Sequence, residues 1–432
     1  MYQGKEGWAR KWTVVLFAVA AVVALAVVGR NVPWGGHLLE WLDLLLRWFH
    51  VVVGIGWIGS SFYFIWLEHH LDRANQANGV AGSLYSVHGG GFYYVQKYEG
   101  APPRLPERLH WFQWEAYLTW VSGFCLLVVV YYANAHTVMV DVGGARIPAF
   151  LAVVLGLATL GLGWLLYDRL CRSKLLDNTA LFTTVGFLLV AGLALVLSEL
   201  LSGRAAYMHV GAMLGTIMAA NVFFVIIPAH RVMVQAVREG SRPDPDTSRH
   251  ASMRSLHNNY LTLPVIFVMI SVHFPTTYTH AYNWAVLAGL FLASAGLRHY
   301  LNLLERGRHM AWILPAASLL VLALALVTAP GAARLTAAPA PEALPEVTFA
   351  EANAVIQTHC AVCHSATPSD DVFTSAPGGV KFDGAEQIGA FAERIYHRTV
   401  VTRDMPLGNV TGMTEEEREV IRFWFLKGAR LD

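Results

Sequence analysis

Cys360-Ala361-Val362-Cys363-His364 carries the most specific chemistry in this chain. Two thiols spaced C-x-x-C, with a histidine directly after, form the attachment sequence of a c-type haem. Each sulfur can bond one vinyl group of the porphyrin, and His364 then lies beneath the iron as the proximal ligand. A second axial ligand is needed on the opposite face. Met405, in Thr402-Arg403-Asp404-Met405-Pro406, is the first choice, with Met413 as the alternative downstream. A zinc half-site would need a second ligand pair, and the other cysteines, Cys125 and Cys171, lie in or beside apolar segments. The spacing predicts a one-electron carrier: haem c on Cys360 and Cys363, its iron between His364 and Met405.

The residues around the motif supply the elements to hold it. Thr348-Phe349-Ala350-Glu351 is a capping box, so a helix should start there and run into the motif with Val355 and Ile356 on its buried face. Thr414-Glu415-Glu416-Glu417 is a second box, followed by Val420, Ile421, Phe423, Trp424 and Leu426 at helical spacing. An amphipathic helix lying on a membrane is the competing reading of this last segment, and its acidic start argues against that. Residues 347–432 are expected to form a small helical cytochrome c domain of the class I type. Residues 330–346, with Pro330, Pro339, Pro341 and Pro345 among alanines, read as an extended spacer. At about 3 Å per residue it reaches roughly 50 Å.

Upstream the composition is that of a membrane protein. The chain is 55% hydrophobic and 14% charged, which excludes an ordinary soluble domain, and no basic block of the kind that binds nucleic acid is present. Nine apolar runs could cross the hydrocarbon: 12–29, 45–67, 111–132, 149–167, 179–201, 207–229, 260–274, 283–301 and 311–328. Residues 1–329 are therefore expected to be an all-α transmembrane bundle of about eight or nine helices. The first run could be a signal peptide; its length, and Arg30-Asn31-Val32-Pro33 after it, favour an uncleaved helix. Lysines and arginines crowd the segments on the side of the N-terminus, whereas before residue 330 the other side holds only Arg30, Arg146 and Arg204. The positive-inside rule then puts the N-terminus in the cytoplasm. An odd number of spans places the haem motif on the periplasmic side of a bacterial inner membrane, where c-type haem is attached.

Ionisable groups inside a bilayer are costly, so each is a functional candidate. His50 follows Arg47 by three residues, which puts both on one helix face. His209 lies in Met208-His209-Val210-Gly211. Both histidines follow the outer start of their run and precede glycines, and a weak repeat continues through Trp57, Gly59 and Phe62 in one, Thr216, Ala219 and Phe223 in the other. Two such histidines could hold a b-type haem. The plainer reading is hydrogen-bonded histidines on faces that only pack helices. His273 is the reserve ligand, and His37, His136 and His280 fall in outer loops. Arg47 could meet a haem propionate or an anionic substrate. Near the inner ends, His110, Glu115, Asn221, His230, His257, Asn258 and Asn259 could bind a planar heterocycle among Trp111, Trp114 and Trp120, or simply cap helices and anchor the interface.

With these segments in view, the chain resembles the membrane-bound urate hydroxylases of the PuuD type, which join a multi-span domain to a C-terminal cytochrome c. The likeness rests on Arg47-Trp48-Phe49-His50 to Trp57-Ile58-Gly59, on Asn221 to His230-Arg231, on Asn258-Asn259-Tyr260-Leu261-Thr262-Leu263-Pro264, and on the tail motif. The second run is also similar to a helix of HemJ-type protoporphyrinogen oxidases whose histidine is associated with haem. His273 stands where that family leads one to expect asparagine. The resemblance implies oxidation of urate to 5-hydroxyisourate with water as oxygen source and haem as electron acceptor. A soluble cytochrome c or a terminal oxidase would then take the electrons onward. Two other readings stand beside it: a non-catalytic membrane-anchored cytochrome, and a haem-dependent oxidase of a porphyrinogen or quinol.

Overall fold

The computed structural model describes residues 5–28, 35–140, 147–329, 345–370, 372–373 and 375–432. Arg30, Arg146 and most of the Ala/Pro spacer lie outside them. The architecture is all-α. Each apolar run becomes a helix: α1 (Lys5–Val28), α2 (Gly35–His70), α3 (Trp114–Leu126), α5 (Ala149–Cys171), α6 (Thr179–Leu200), α7 (Gly203–Ala220) with α8 (Ile227–Arg238), α9 (Pro245–Ser271), α11 (Asn283–Glu305) and α12 (Ile313–Val327), with short α4 (Ala135–Val138) and α10 (Pro275–Tyr278) between them. Among the described residues six of these segments are long and apolar enough to cross a membrane, one of them the continuous Gly203–Arg238 rod. In α1 and α12 the apolar stretch is shorter. In α9 the first half is polar, and Asp244 caps it by accepting from the amides of Asp246 and Thr247.

Helix α7 is the centre of the bundle. It packs against α5, α6 and α9, and its Ala205, Ala206, Tyr207, Val210 and Leu214 are almost fully buried. Small residues make this possible: a Cβ on Gly211 would press on Val268 of α9, and one on Gly163 would enter Met213. Outward faces remain apolar, as at Phe17, Ile55, Leu319 and Leu326, which suits a hydrocarbon surround. Two segments depart from regular helix. Leu127–Tyr132 and Asn221–Ile226 are π-helical, a widening that often accompanies function.

One antiparallel hairpin, β1 (Val80–His88) and β2 (Gly91–Tyr98), projects between α2 and α3. Gly89 and Gly90, with φ of +57° and +80°, make the two-residue turn that its twist requires. Its sequence signal is the glycine run between Tyr85 and Tyr94, which pair across the ladder.

The C-terminal part has its own core of Ile356, Ile388, Ile421 and Trp424. Helices α13 (Phe349–His359), α14 (Ala385–Ala390), α15 (Ala392–Tyr396) and α16 (Glu415–Leu426) enclose it. Both expected capping boxes are formed: Thr348 with Glu351 on α13, and Thr414 with Glu417 on α16.

Candidate functional site

Cys360, Cys363, His364 and Met405 line one cavity of about 450 Å³. The first three are placed by the end of α13 and the turn after it. Nδ1 of His364 donates to the carbonyl of Val380 at 3.1 Å, which leaves Nε2 as a lone pair for a ligand. Burial, only partly opposed by that bond, holds the His364 imidazole below its ordinary pKa, so it is in the neutral, ligating form. Burial also pushes both thiols up to about 12, with Cys363 adding to the effect on Cys360 and Asp370 to that on Cys363.

Met405 sits on a loop tied down by a buried arginine. Arg418 donates to the carbonyls of Thr399 and Met405, the latter at 3.0 Å, and to Oδ1 of Asn409 at 3.3 Å. Arg403 pairs in a fork with Glu415 at 3.0 and 2.7 Å, and Arg398 pairs with Asp404. Met413, the alternative, is 3% exposed in the core of this part and does not line the cavity. Among the described residues no three His, Cys, Asp or Glu side chains gather as a bare-ion site. The set Cys360, Cys363, His364 and Met405 instead suits a group that brings its own equatorial ligands, an iron porphyrin.

The cavity is completed by the bundle. Thr137, Arg204, His273 and Tyr278 are part of its wall. His273, the reserve ligand for a second haem, thus lines the same cavity as the Cys360–His364 motif. Arg204, which sequence reading treated as a loop charge, opens α7, stands 5.8 Å from the ring centroid of Tyr131 and leaves its buried Nε without a partner.

His209 is fully buried one turn further along α7. Its Nδ1 donates to the carbonyl of Ala205 at 2.8 Å, and its Nε2 has no partner. Because a carbonyl only accepts, Nε2 carries the lone pair. The rings of Tyr131 and Tyr132, both in the first π-helical segment, lie 6.0 and 5.7 Å from the imidazole. His50 meets the same helix about two turns earlier: its Nδ1 lies 2.9 Å from Oγ of Ser122, which itself donates to Leu118. Arg47 is committed to Asp43 at 2.7 Å and is partly exposed.

At the other end of the bundle two polar clusters are buried. Asn221 donates to Asn258 at 2.8 Å and to Tyr167 at 3.1 Å, and Tyr167 lies 2.8 Å from His257. Arg254 closes this network, reaching Asn221 at 3.1 Å and Asp168 at 2.7 Å. In the second cluster Arg298 donates to Oδ1 of Asn259 at 3.0 Å, Asn302 shares that acceptor at 2.9 Å, and the guanidinium faces the Phe62 ring at 4.2 Å. Nη2 of Arg298, Nδ2 of Asn259 and Oδ1 of Asn302 are buried without partners. Of the residues expected together here, Asn221, His257 and Asn258 share the first network. Asn259 turns to the second, while His110 stacks edge-on with Phe112.

Residues 36–329 match the urate oxidase N-terminal family. The chain belongs to that family. No curated protein and no solved structure matches it. The family match supports a urate-related oxidoreductase with urate as its small-molecule substrate. It covers His50, His209, Arg204, His273 and both inner clusters, whereas the Cys360–His364 motif lies beyond it. Arg254, Arg298 and Asn302 were missed by reading their segments as interfacial ends. The signal was present in their i, i+4 placement on α9 and α11, which sets Arg254 with Asn258 and Arg298 with Asn302 on one face each.

Proposed function

We propose that this chain is a membrane-bound urate hydroxylase of the bacterial inner membrane. It oxidises urate to 5-hydroxyisourate with water as the oxygen source and passes the electrons to a soluble cytochrome c or a terminal oxidase. The observation that carries this reading is one cavity lined by two cysteines, a histidine and a methionine, walled by helices of a urate oxidase family. In balance, C5 of urate gains the hydroxyl of one water, and two protons and two electrons leave. Haem c, when bound, supplies a one-electron acceptor, and a b haem in the bundle would supply a second.

The residues lining the tail cavity fit a haem c. Cys360 and Cys363 would hold haem c covalently, with His364 and Met405 on its iron. His209, with its free Nε2 between two tyrosines, and His50 would hold the b haem. Arg298, Asn259 and Asn302 bind and orient the substrate: a cation whose hydrogen bond is to an amide, an unbonded amide donor and an unbonded amide acceptor suit a planar anion rich in N–H and C=O groups. Arg47 would have to leave Asp43 to take that role. A periplasmic tail is supported by the contacts that, among the described residues, the tail makes at the end where Thr137, Arg204 and Tyr278 lie, the end that the charge asymmetry assigns to the outside.

The test is anaerobic addition of urate to purified, haem-loaded protein, beside a porphyrinogen and a quinol. Urate alone should reduce the haem, and product formed in labelled water should carry the label. Absence of reduction by urate sinks the assignment. Reduction by quinol instead would select the alternative oxidase.

A further inference from the structure

The loop that carries Met405 does two things at once. Met405 lines the cavity, while three residues on, Gly408 presses its backbone against the bundle. A Cβ at Gly408, where φ is +60°, would collide with the carbonyl oxygen of Thr137 and come within 3.2 Å of that of Val140. Leu407 packs onto the hydrophobic core of the bundle, and Ser375 donates to Glu40 of α2 at 3.2 Å. The contact therefore consists of a glycine approach, an apolar anchor and a polar bond. It brings Arg204 into the wall of the cavity.

We infer that the outer end of the bundle is the missing wall of the haem crevice, and that Arg204 sets the reduction potential of the haem held by the tail. This rests on the haem c reading above. Arg204 forms no ion pair among the described residues, unlike Arg398 in the same wall, which is neutralised by Asp404. Its buried Nε is unspent. Ferric haem carries one more positive charge than ferrous haem, so a half-buried cation without an ion pair in that wall favours the reduced state. The tail is thus a better electron acceptor when docked on the bundle than when undocked. Arg204 acts here as a positioning and electrostatic residue, not as a ligand.

Potentiometric titration of the full-length holoprotein, followed at the haem c absorbance, tests this. Arg204→Gln should lower the midpoint so that the ferrous-to-ferric ratio at fixed poise falls about tenfold, or about 59 mV for a one-electron couple. Arg204→Lys, which keeps the charge, should stay near the wild-type value. Gly408→Val should undock the loop and give a similar fall. The double variant should fall no further, because both changes remove one interaction. An unmoved midpoint in Arg204→Gln, or two falls that add, overturns the inference while the haem c reading stands. If Gly408→Val does not acquire haem, the Gln and Lys variants at Arg204 decide alone. A wild-type protein matured without attached haem overturns the functional reading itself, and this inference with it.

Discussion

Gly156 of α5 lies against Nε2 of His209 on α7, so close that a Cβ at position 156 would collide with the imidazole; it would also stand 3.3 Å from the Tyr132 ring. The histidine therefore keeps its unbonded nitrogen in a space made by the absence of one side chain. Gly123 does the same for His50, where a Cβ would meet Cε1 at 3.0 Å. Two histidines each face a glycine on a neighbouring helix, and each imidazole fills the space that a side chain there would take.

Gly156→Ala follows directly. The added methyl must displace His209 or spread α5 from α7, at a cost of about 1–3 kcal/mol for overpacking a filled core. Thermal unfolding in detergent should show the loss. A pyridine haemochrome assay should show less b haem with haem c unchanged. Unaltered stability would mean that the two helices are not held at this distance.

Met405 and Arg418 separate the proposed sixth ligand from its support. Met405→Ala should leave the haem attached through Cys360 and Cys363 but move its potential, since the sulfur is lost from the cavity. Arg418→Met keeps Met405 yet frees the carbonyls of Thr399 and Met405 and the amide of Asn409. Losing buried bonds to a charged donor costs about 1.5–3 kcal/mol each at most. The tail should therefore unfold earlier, and its methionine should be displaced more easily by added imidazole. Equal imidazole affinity in Arg418→Met and wild type would show that the loop needs no such tie.

Much of this was legible in the sequence, and what was not has definable causes. The two capping boxes and the Cys360–His364 motif are local patterns, satisfied within a few residues, so each appears where its letters stand. The apolar runs survive as helices because nothing but length and hydrophobicity decides them. Tyr131 and Tyr132 were not legible as neighbours of His209: it takes the π-helical turn over Leu127–Tyr132 to place both there, and no residue type spells that turn. Arg254 and Arg298 looked like charges at span ends because a window average sees charge, not partners. In the fold they are 3% and 2% exposed and answered by amides from other helices. The meeting of Arg204 with the tail cavity crosses the whole bundle in sequence, beyond any local pattern.

Acid should weaken the tail through Glu417. Backbone and side-chain bonds from Thr414, and His359 at 3.0 Å, hold its carboxyl below the usual glutamate range. A carboxyl depressed in the folded state adds stability that is present above the unfolded pKa of about 4.3. It is lost as the pH falls through the lower folded value. Glu417→Gln removes the proton-linked part, so its stability should change less with pH between about 5 and 3 than that of the wild type. Denaturant titrations at several pH values check this, and parallel curves would refute it.

Arg254 and Arg298 make a paired test of which inner cluster meets the substrate. Arg254 is spent: Asp168 and Asn221 hold it at 2.7 and 3.1 Å. Arg254→Gln removes the buried partner of Asp168, which keeps the exposed Arg172 at 2.8 Å, and should cost at most about 3 kcal/mol of stability. What protein remains folded should keep its KM for urate. Arg298 has a free nitrogen, with an unbonded amide donor and acceptor beside it. Arg298→Lys keeps the charge but loses the planar fork that matches an anionic heterocycle. It should raise KM for urate about tenfold or more with a smaller change in kcat, the pattern of lost uniform binding. The reverse result, KM raised by Arg254→Gln and unmoved by Arg298→Lys, would move the substrate to the Asn221 network.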